Sequence, residues 1–197
     1  MRYRTVTPYL FIAPMLIGLI LFRLGPIIAA FVISFTRWNV RTDPVFVGFG
    51  NYQELFTNDT FWLVLKNTLI FAAVYVPGAI ILALVLALLV NQKLKGIAFF
   101  RGLYFMPYIT SMVAVAMVWN WIFSTRFGVL NNVLNSVFGT GSIAWLRDYP
   151  LLVLIIVTIW KTSGFQMMIY VAGLQGIPNY LYEAARIDGA NRWQQFR

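Results

Sequence analysis

Residues 151–197 read LLVLIIVTIWKTSGFQMMIYVAGLQGIPNYLYEAARIDGANRWQQFR. From Leu151 to Gly173 the run is long and apolar enough for a helix across a hydrocarbon core, which takes about 20 residues. Beyond Gly176 the character changes to polar and charge-mixed. Pro178 suits the first turn of a new helix, and Ala184, Ala185 and Arg186 are good helix formers. Gly189 is placed to end that helix in a left-handed conformation, and Asn191 with Gln194 can open another. The spacing therefore predicts a membrane span followed by two short helices separated by a glycine break. On the first, Tyr180, Ala184 and Ile187 form one stripe with Leu181 and Ala185 beside it; on the second, Trp193 and Phe196 share a face.

Two readings of this tail are open from its residues alone. The small Ala184–Ala185 pair would let a partner surface come close, as a helix docked in a groove requires, with Glu183 offering its charge at the rim. An amphipathic helix in the headgroup layer, with Glu183 merely paired to Arg186 for about 0.2–0.5 kcal/mol, uses the same residues.

The rest of the chain makes the bilayer its solvent. Of 197 residues, 60% are hydrophobic, 17% aromatic and only 11% charged, far from soluble averages. Three further stretches can cross a membrane as helices: Tyr9 to Phe35, Leu63 to Val90 and Leu103 to Phe123. Pro14 and Gly25-Pro26 should bend the first, and Pro77-Gly78 the second. The first is read as a retained helix, because its apolar run resumes after Arg23 and no A-x-A cleavage pattern follows.

Several chemistries are excluded by composition. There is no cysteine and no histidine, which removes thiol chemistry, the commonest general base and the commonest metal ligand. The six acidic residues form no close pair of the kind acid/base hydrolysis uses. The net charge of +9 comes from basic residues in no dense cluster, so nucleic acid is not an expected partner. Their placement fits membrane topology instead. One side collects Arg2, Arg4, Lys93, Lys95, Arg101, Arg186, Arg192 and Arg197, and the other Arg37, Arg41, Lys66, Arg126 and Arg147. The positive-inside bias makes the first side cytoplasmic, so the N-terminus and the tail are expected inside.

The outer loops carry structure of their own. Asn51 and Glu54 resemble a capping box, and Asp59-Thr60 can cap the second span. In FGVLNNVLNSVF, Val129, Leu130, Val133, Leu134 and Val137 recur at helical spacing, predicting an amphipathic helix on the outer surface. It serves either a partner or solute entrance on that side, or only shielding of the bundle.

Polar residues within the spans are the candidates for a solute path. Lys161 and Arg23 lie near the middle of their stretches, where ionisable groups usually face a bundle interior or a wet cavity. Lys161 either lines such a path or bonds backbone carbonyls; Arg23 can also snorkel. Trp119, Asn120 and Trp121 could stack on and hydrogen-bond a sugar ring, or belong to an aromatic belt. Gln166, Thr162 and Ser163 are candidates for the path or for bonds between helices.

The spacing of Glu183, Ala184, Ala185 and Gly189 resembles the cytoplasmic signature of permease subunits of binding-protein-dependent ATP-binding-cassette importers. AGLQGIPNYLYEAARIDGANRWQQF is similar to the extended form in carbohydrate-uptake permeases of the maltose and glycerol-phosphate type. FVGFGNYQELF, FFRGLYFMPYITSMVAVAMVWNWIF, GVLNNVLN and the surroundings of Trp160, Lys161 and Gly164 resemble the same family, in order, across essentially the whole chain. The resemblance implies an all-α polytopic integral membrane protein of the type I importer permease fold. Residues 1–62 would hold the first span and outer loop, and 63–197 the permease core, with a coupling segment over 174–197. Glu183, Ala184, Ala185, Asp188 and Gly189 would seat in a groove of an ATPase subunit.

The family pattern continues beyond Arg197 to an Ile-x-Leu-Pro and two more helices, so four of an expected six spans are anticipated here, as in an N-terminal fragment or truncated gene. Expected partners are a second permease subunit, two ATPase subunits, an external solute-binding protein and membrane lipid. No G-x-x-x-x-G-K-[ST] loop occurs, so ATP and Mg are expected on the ATPase, no cofactor on this chain, and no enzymatic activity in it. The expected role is import of a sugar or related polyol through a bacterial or archaeal inner membrane. A secondary transporter or channel, or a membrane scaffold with a generic docking helix, is the alternative; the former usually places acids within its helices, and none lies in the four spans.

Overall fold

The computed structural model describes residues 7–39, 41–92 and 95–196. Arg2, Arg4, Lys93 and Arg197, used above for orientation, lie outside them. The chain divides into two compact units, 1–66 and 67–197, and the division falls within a single long helix.

In the first unit, α1 (Thr7–Leu19), a π-helical turn (Ile20–Leu24) and α2 (Gly25–Ile33) form one apolar stretch. Pro8–Ile33, 26 residues, is long and apolar enough to cross a membrane. The π turn ends at Leu24, two residues before Pro26 in the first turn of α2; a proline lacks the N–H that would continue the ladder, and widening the helix there absorbs the loss. Arg23 lies in this turn.

The loop that follows folds against the end of this span. A short antiparallel ladder pairs β1 (Thr36–Arg37) with β2 (Val45–Phe46). Next come α3 (Gly50–Thr57) and α4 (Asp59–Val90). Asn51 is no cap: α3 begins at Gly50 after Phe49, and the Asn51 Nδ2 donates to Ser34 O (2.8 Å) and Thr36 O (2.9 Å). Bonding two carbonyls just beyond α2, one of them in β1, satisfies more groups than a local cap would. Likewise Asn58, not Asp59, caps α4, accepting from Thr60 N at 2.8 Å.

The second unit is organised around α9 (Pro150–Gln175). The helix α4 runs unbroken through Pro77 and buries Ala79, Ala83, Ala87 and Val90, small side chains at helical spacing. The expected third span is not one helix. It consists of α5 (Ile97–Ile109) and α6 (Met112–Ile122), meeting at 96°. Pro107 weakens the last turn of α5, and the Thr110 hydroxyl donates to Met106 O (2.9 Å), closing the helix. The two arms still travel the length of α9. Ile97 packs with Val171 in a cluster with Ala87, Val90 and Met167, whereas Val115 and Phe123 pack with Val153 and Val157. From Val153 to Val171 is about 27 Å of helix, close to a bilayer core, so the pair behaves as a broken span.

Beyond α6, α7 (Val129–Phe138) forms as its spacing predicts, and α8 (Trp145–Asp148) leads into α9. The tail holds α10 (Asn179–Ile187) and α11 (Arg192–Phe196).

What fixes α5 on α9 is Gly164. A Cβ there would lie 1.9 Å from Tyr104 O and 2.8 Å from Tyr104 C, both backbone atoms that cannot turn aside. Beside this contact Tyr108 and Phe165 stack with ring centroids 4.6 Å apart. In a bilayer, helix pairs are held by such close backbone packing. Gly164→Ala should therefore push α5 off α9 and lower the thermal midpoint of the purified protein markedly, by at least the 1–3 kcal/mol typical of overpacking. Gly173→Ala, with open space around its added methyl, should leave it unchanged or raised.

Candidate functional site

The tail is built by local capping. Pro178 is extended (φ −62°, ψ 136°) and precedes α10 as its cap, one position before the first turn where the sequence placed it. At the other end Gly189 takes φ +80°. Its N–H donates to Arg186 O (3.1 Å) and that of Ala190 to Ala185 O (2.9 Å), the paired bonds of a left-handed helix terminator. Two residues on, Asn191 and Gln194 bond reciprocally: Gln194 N to Asn191 Oδ1 at 2.9 Å and Asn191 N to Gln194 Oε1 at 2.7 Å. This closed capping box starts α11, where the Trp193 and Phe196 rings lie 5.7 Å apart.

These devices hold α10 with its coupling candidates outward. Glu183, Ala184, Asp188 and Gly189 are exposed and Ala185 is half-buried. Tyr180 is 65% and Ile187 86% exposed, so the apolar stripe faces out with nothing upon it. Among the described residues the ion pairs are Arg37 with Glu54 (4.0 Å) and Arg147 with Asp148 (2.8 Å); Glu183 is not paired with Arg186. The Arg147 hydrogen bond holds the Asp148 carboxyl below its usual range, leaving a negative charge close to the N-terminus of α9, where the helix dipole favours it.

The intramembrane candidates separate. Lys161 gives its ammonium to the end of α5, donating to Pro107 O (3.1 Å), Tyr108 O (3.4 Å) and Thr110 O (2.8 Å). A break within a span frees carbonyls that lipid cannot satisfy, and a cation at a helix C-terminus also meets the negative end of its dipole. Trp119 is half-buried, stacked on Phe123 (5.4 Å) and edge-on to Trp160 (5.4 Å), while Asn120 and Trp121 are exposed. Gln166 differs from these: its Oε1 is buried without a hydrogen-bond partner. On the same ridge of α9, Thr162 accepts from Tyr75 of α4 (3.2 Å) and donates to Thr158 O (2.8 Å). Ser163 bonds Trp160 O at 3.1 Å. A cavity of about 490 Å3 lies alongside, bordered by Leu86, Tyr104, Thr110, Trp160 and Ser163. Among the described residues no cluster of metal-ligating side chains occurs.

Sequence reasoning passed over Asn131. It is 4% exposed and organises the loops between α6 and α8: its Nδ2 donates to Ile143 O (2.8 Å), Thr125 O (3.2 Å) and Ser124 O (3.4 Å). Its Oδ1 accepts from Trp145 Nε1 (2.8 Å) and Ile143 N (3.4 Å). The available signal was an asparagine on the inner edge of an amphipathic helix, but its partners are distant in sequence.

The arrangement of spans around α9 is one that known proteins share. Residues 76–197 match the family described as binding-protein-dependent transport system inner membrane component. The chain belongs to that family. It is 37% identical over 204 residues to a probable ABC transporter permease protein of Pyrococcus horikoshii, covering 100% of this chain and 70% of that protein. To the lactose transport system permease of Rhizobium radiobacter it is 38% identical, covering 99% and 66%. To the trehalose/maltose transport system permease of Thermococcus litoralis it is 34% identical, covering 96% and 65%. Among solved structures it resembles a bacterial ABC transporter that imports the acidic polysaccharide alginate, with a TM-score of 0.74, 28% identity and coverage of 95% of this chain and 64% of that one. A bacterial alginate ABC transporter in complex with alginate pentasaccharide-bound periplasmic protein matches with a TM-score of 0.75 and 27% identity, covering 95% and 63%. The chain thus spans about two thirds of the length of the permeases it matches. It is a multi-pass, all-α permease of the importer class.

Two substitutions check the polar anchors of this permease. Asn131→Ala leaves the Trp145 indole and several loop carbonyls unpaired, and Lys161→Met does the same to the end of α5. Each should lower stability by about 2–3 kcal/mol, as for other buried groups stripped of a partner, read as a fall in the thermal midpoint in detergent. Lys161→Arg, which keeps charge and donors, should recover part of the loss.

Proposed function

We propose that this permease carries a sugar or related polyol across the inner membrane as one subunit of an ATP-driven importer. It works there with a second permease, two ATPase subunits and an external solute-binding protein. The exposed α10, fixed by its left-handed Gly189 terminator and the capping box behind it, is the observation that carries the reading. A helix with a firmly terminated end, and with small residues and an unpaired carboxylate outward, can seat in a partner's groove and pass on its motion. Glu183, Ala184, Ala185, Asp188 and Gly189 make that contact, on the cytoplasmic side with the N-terminus. The sugar assignment is supported by the lactose and trehalose/maltose permeases among its relatives, and the external binding protein by the alginate transporter complex.

In the mechanism, ATP and Mg belong to the ATPase, and closure of its subunits displaces α10. Because α9 leads into α10 through Gly176, and α5 is fixed to α9 at Gly164, both are carried with it. The solute passes along the polar ridge of α9, where Gln166 offers an oxygen with no protein partner and Tyr75–Thr162 a hydroxyl pair. Lys161 and Trp119 support this wall from their carbonyl and aromatic contacts, with Asn120 at its outer end.

In the full-length permease, Gly189→Pro removes the N–H that closes the terminator and forbids φ +80°, and Glu183→Lys reverses the outward charge. Each should reduce energised uptake at least tenfold and release the ATPase on co-purification, with membrane insertion unchanged. Normal uptake by both variants would sink the coupling assignment. Gln166→Leu should lower uptake while the ATPase stays bound.

A further inference from the structure

Between α10 and α11 on one side and the ends of α4, α5 and α9 on the other lie two adjoining cavities of about 530 and 520 Å3, with Asn91, Gln92, Leu174, Ile177 and Tyr182 lining both. Arg186 and Arg192 border the first and Arg101 the second. Arg101 directs Nε and one terminal nitrogen to Val90 O at 3.3 and 2.9 Å, which pins the guanidinium at the end of α4. Arg186 and Arg192 are exposed, with no hydrogen bond or ion pair from their side chains among the described residues. Neither Glu183 nor Asp188 borders either cavity, and no carboxylate stands among the described lining residues. Three positive charges therefore face a shared hollow without a counter-charge. Leu88, Leu174, Ile177 and Phe196 add an apolar wall to it.

Guanidinium groups match the oxygens of a phosphate, and a basic pocket between the ends of membrane helices takes the headgroup of an acidic lipid, whose chains need an apolar wall beside it. We propose that this cleft binds the phosphodiester headgroup of an acidic phospholipid, with Arg101, Arg186 and Arg192 around the phosphate. The bound lipid braces the back of α10 against α4 and α9 while the opposite face meets the ATPase. This rests on reading α10 as the coupling segment at the cytoplasmic surface.

The test uses the full-length permease in its assembled transporter. The complex is placed in nanodiscs of phosphatidylcholine alone or mixed with phosphatidylglycerol. Retained lipid is measured by native mass spectrometry, and ATPase stimulation by solute-loaded binding protein is recorded. The wild type is expected to retain phosphatidylglycerol and to be stimulated several-fold more strongly in its presence. The Arg186→Gln/Arg192→Gln double variant should lose both effects yet keep its ATPase subunits, and Arg186→Lys/Arg192→Lys should recover part of each, which separates lost charge from misfolding. Retained lipid and full stimulation in the glutamine variant would overturn the proposal. So would restoration of the wild-type stimulation in phosphatidylcholine by inorganic phosphate, which would make the site one for a free anion. Loss of the ATPase subunits with lipid retention unchanged would make these arginines a protein contact and overturn it as well. Failure of the coupling reading shows separately, as normal uptake by Glu183→Lys.

Discussion

At Gly164 the backbones of α5 and α9 approach so closely that no side chain fits between them, and the second unit is arranged around that contact. With α5 held there, its C-terminal carbonyls fall within reach of Lys161 one turn back along α9, and Tyr108 lies flat on Phe165. A lysine in the middle of an apolar span is costly to place unless its donors are met. Here a helix that stops inside the membrane supplies what the ammonium needs, and the ammonium supplies what the stopped helix lacks. The lysine and the break account for one another.

The same exchange recurs at the other junctions. Asn51 takes two carbonyls just past α2, Arg101 takes Val90 O at the end of α4, and Asn131 gathers the loop beyond α6. In each case a polar side chain from a separate segment satisfies backbone groups at or just beyond the end of a helix. The apolar faces, by contrast, are lightly buried. The first span is almost wholly exposed and α4 buries little more than alanines, as suits apolar faces whose solvent is lipid. This division of labour leaves the tail free. Its two short helices are fixed by their own caps, so α10 can present an unpaired face without depending on the core.

Sequence legibility follows the range of the bonds concerned. The glycine terminator at Gly189 and the Asn191–Gln194 box were readable because each closes within a few residues. The four apolar stretches were readable because length against bilayer thickness is a local property. The break at Thr110 was not. Pro107 and Thr110 weaken the helix there, but Pro77 leaves α4 unbroken, so a proline alone does not decide. Asn51 was misread as a cap because a local bond was the only one visible, whereas its real acceptors lie in a different element.

The sequence by itself determined that this chain lives in a bilayer, where its apolar stretches lie and that two short helices separated by a glycine follow the last of them, because hydropathy, helical period and capping are written in neighbouring residues. Only the tertiary structure decided that the third span is bent, that Lys161 caps it, that Gln166 keeps an unpartnered oxygen and that three arginines border one cleft. Those outcomes depend on which backbones come close enough to exchange hydrogen bonds, and that is set by packing between segments far apart in the chain.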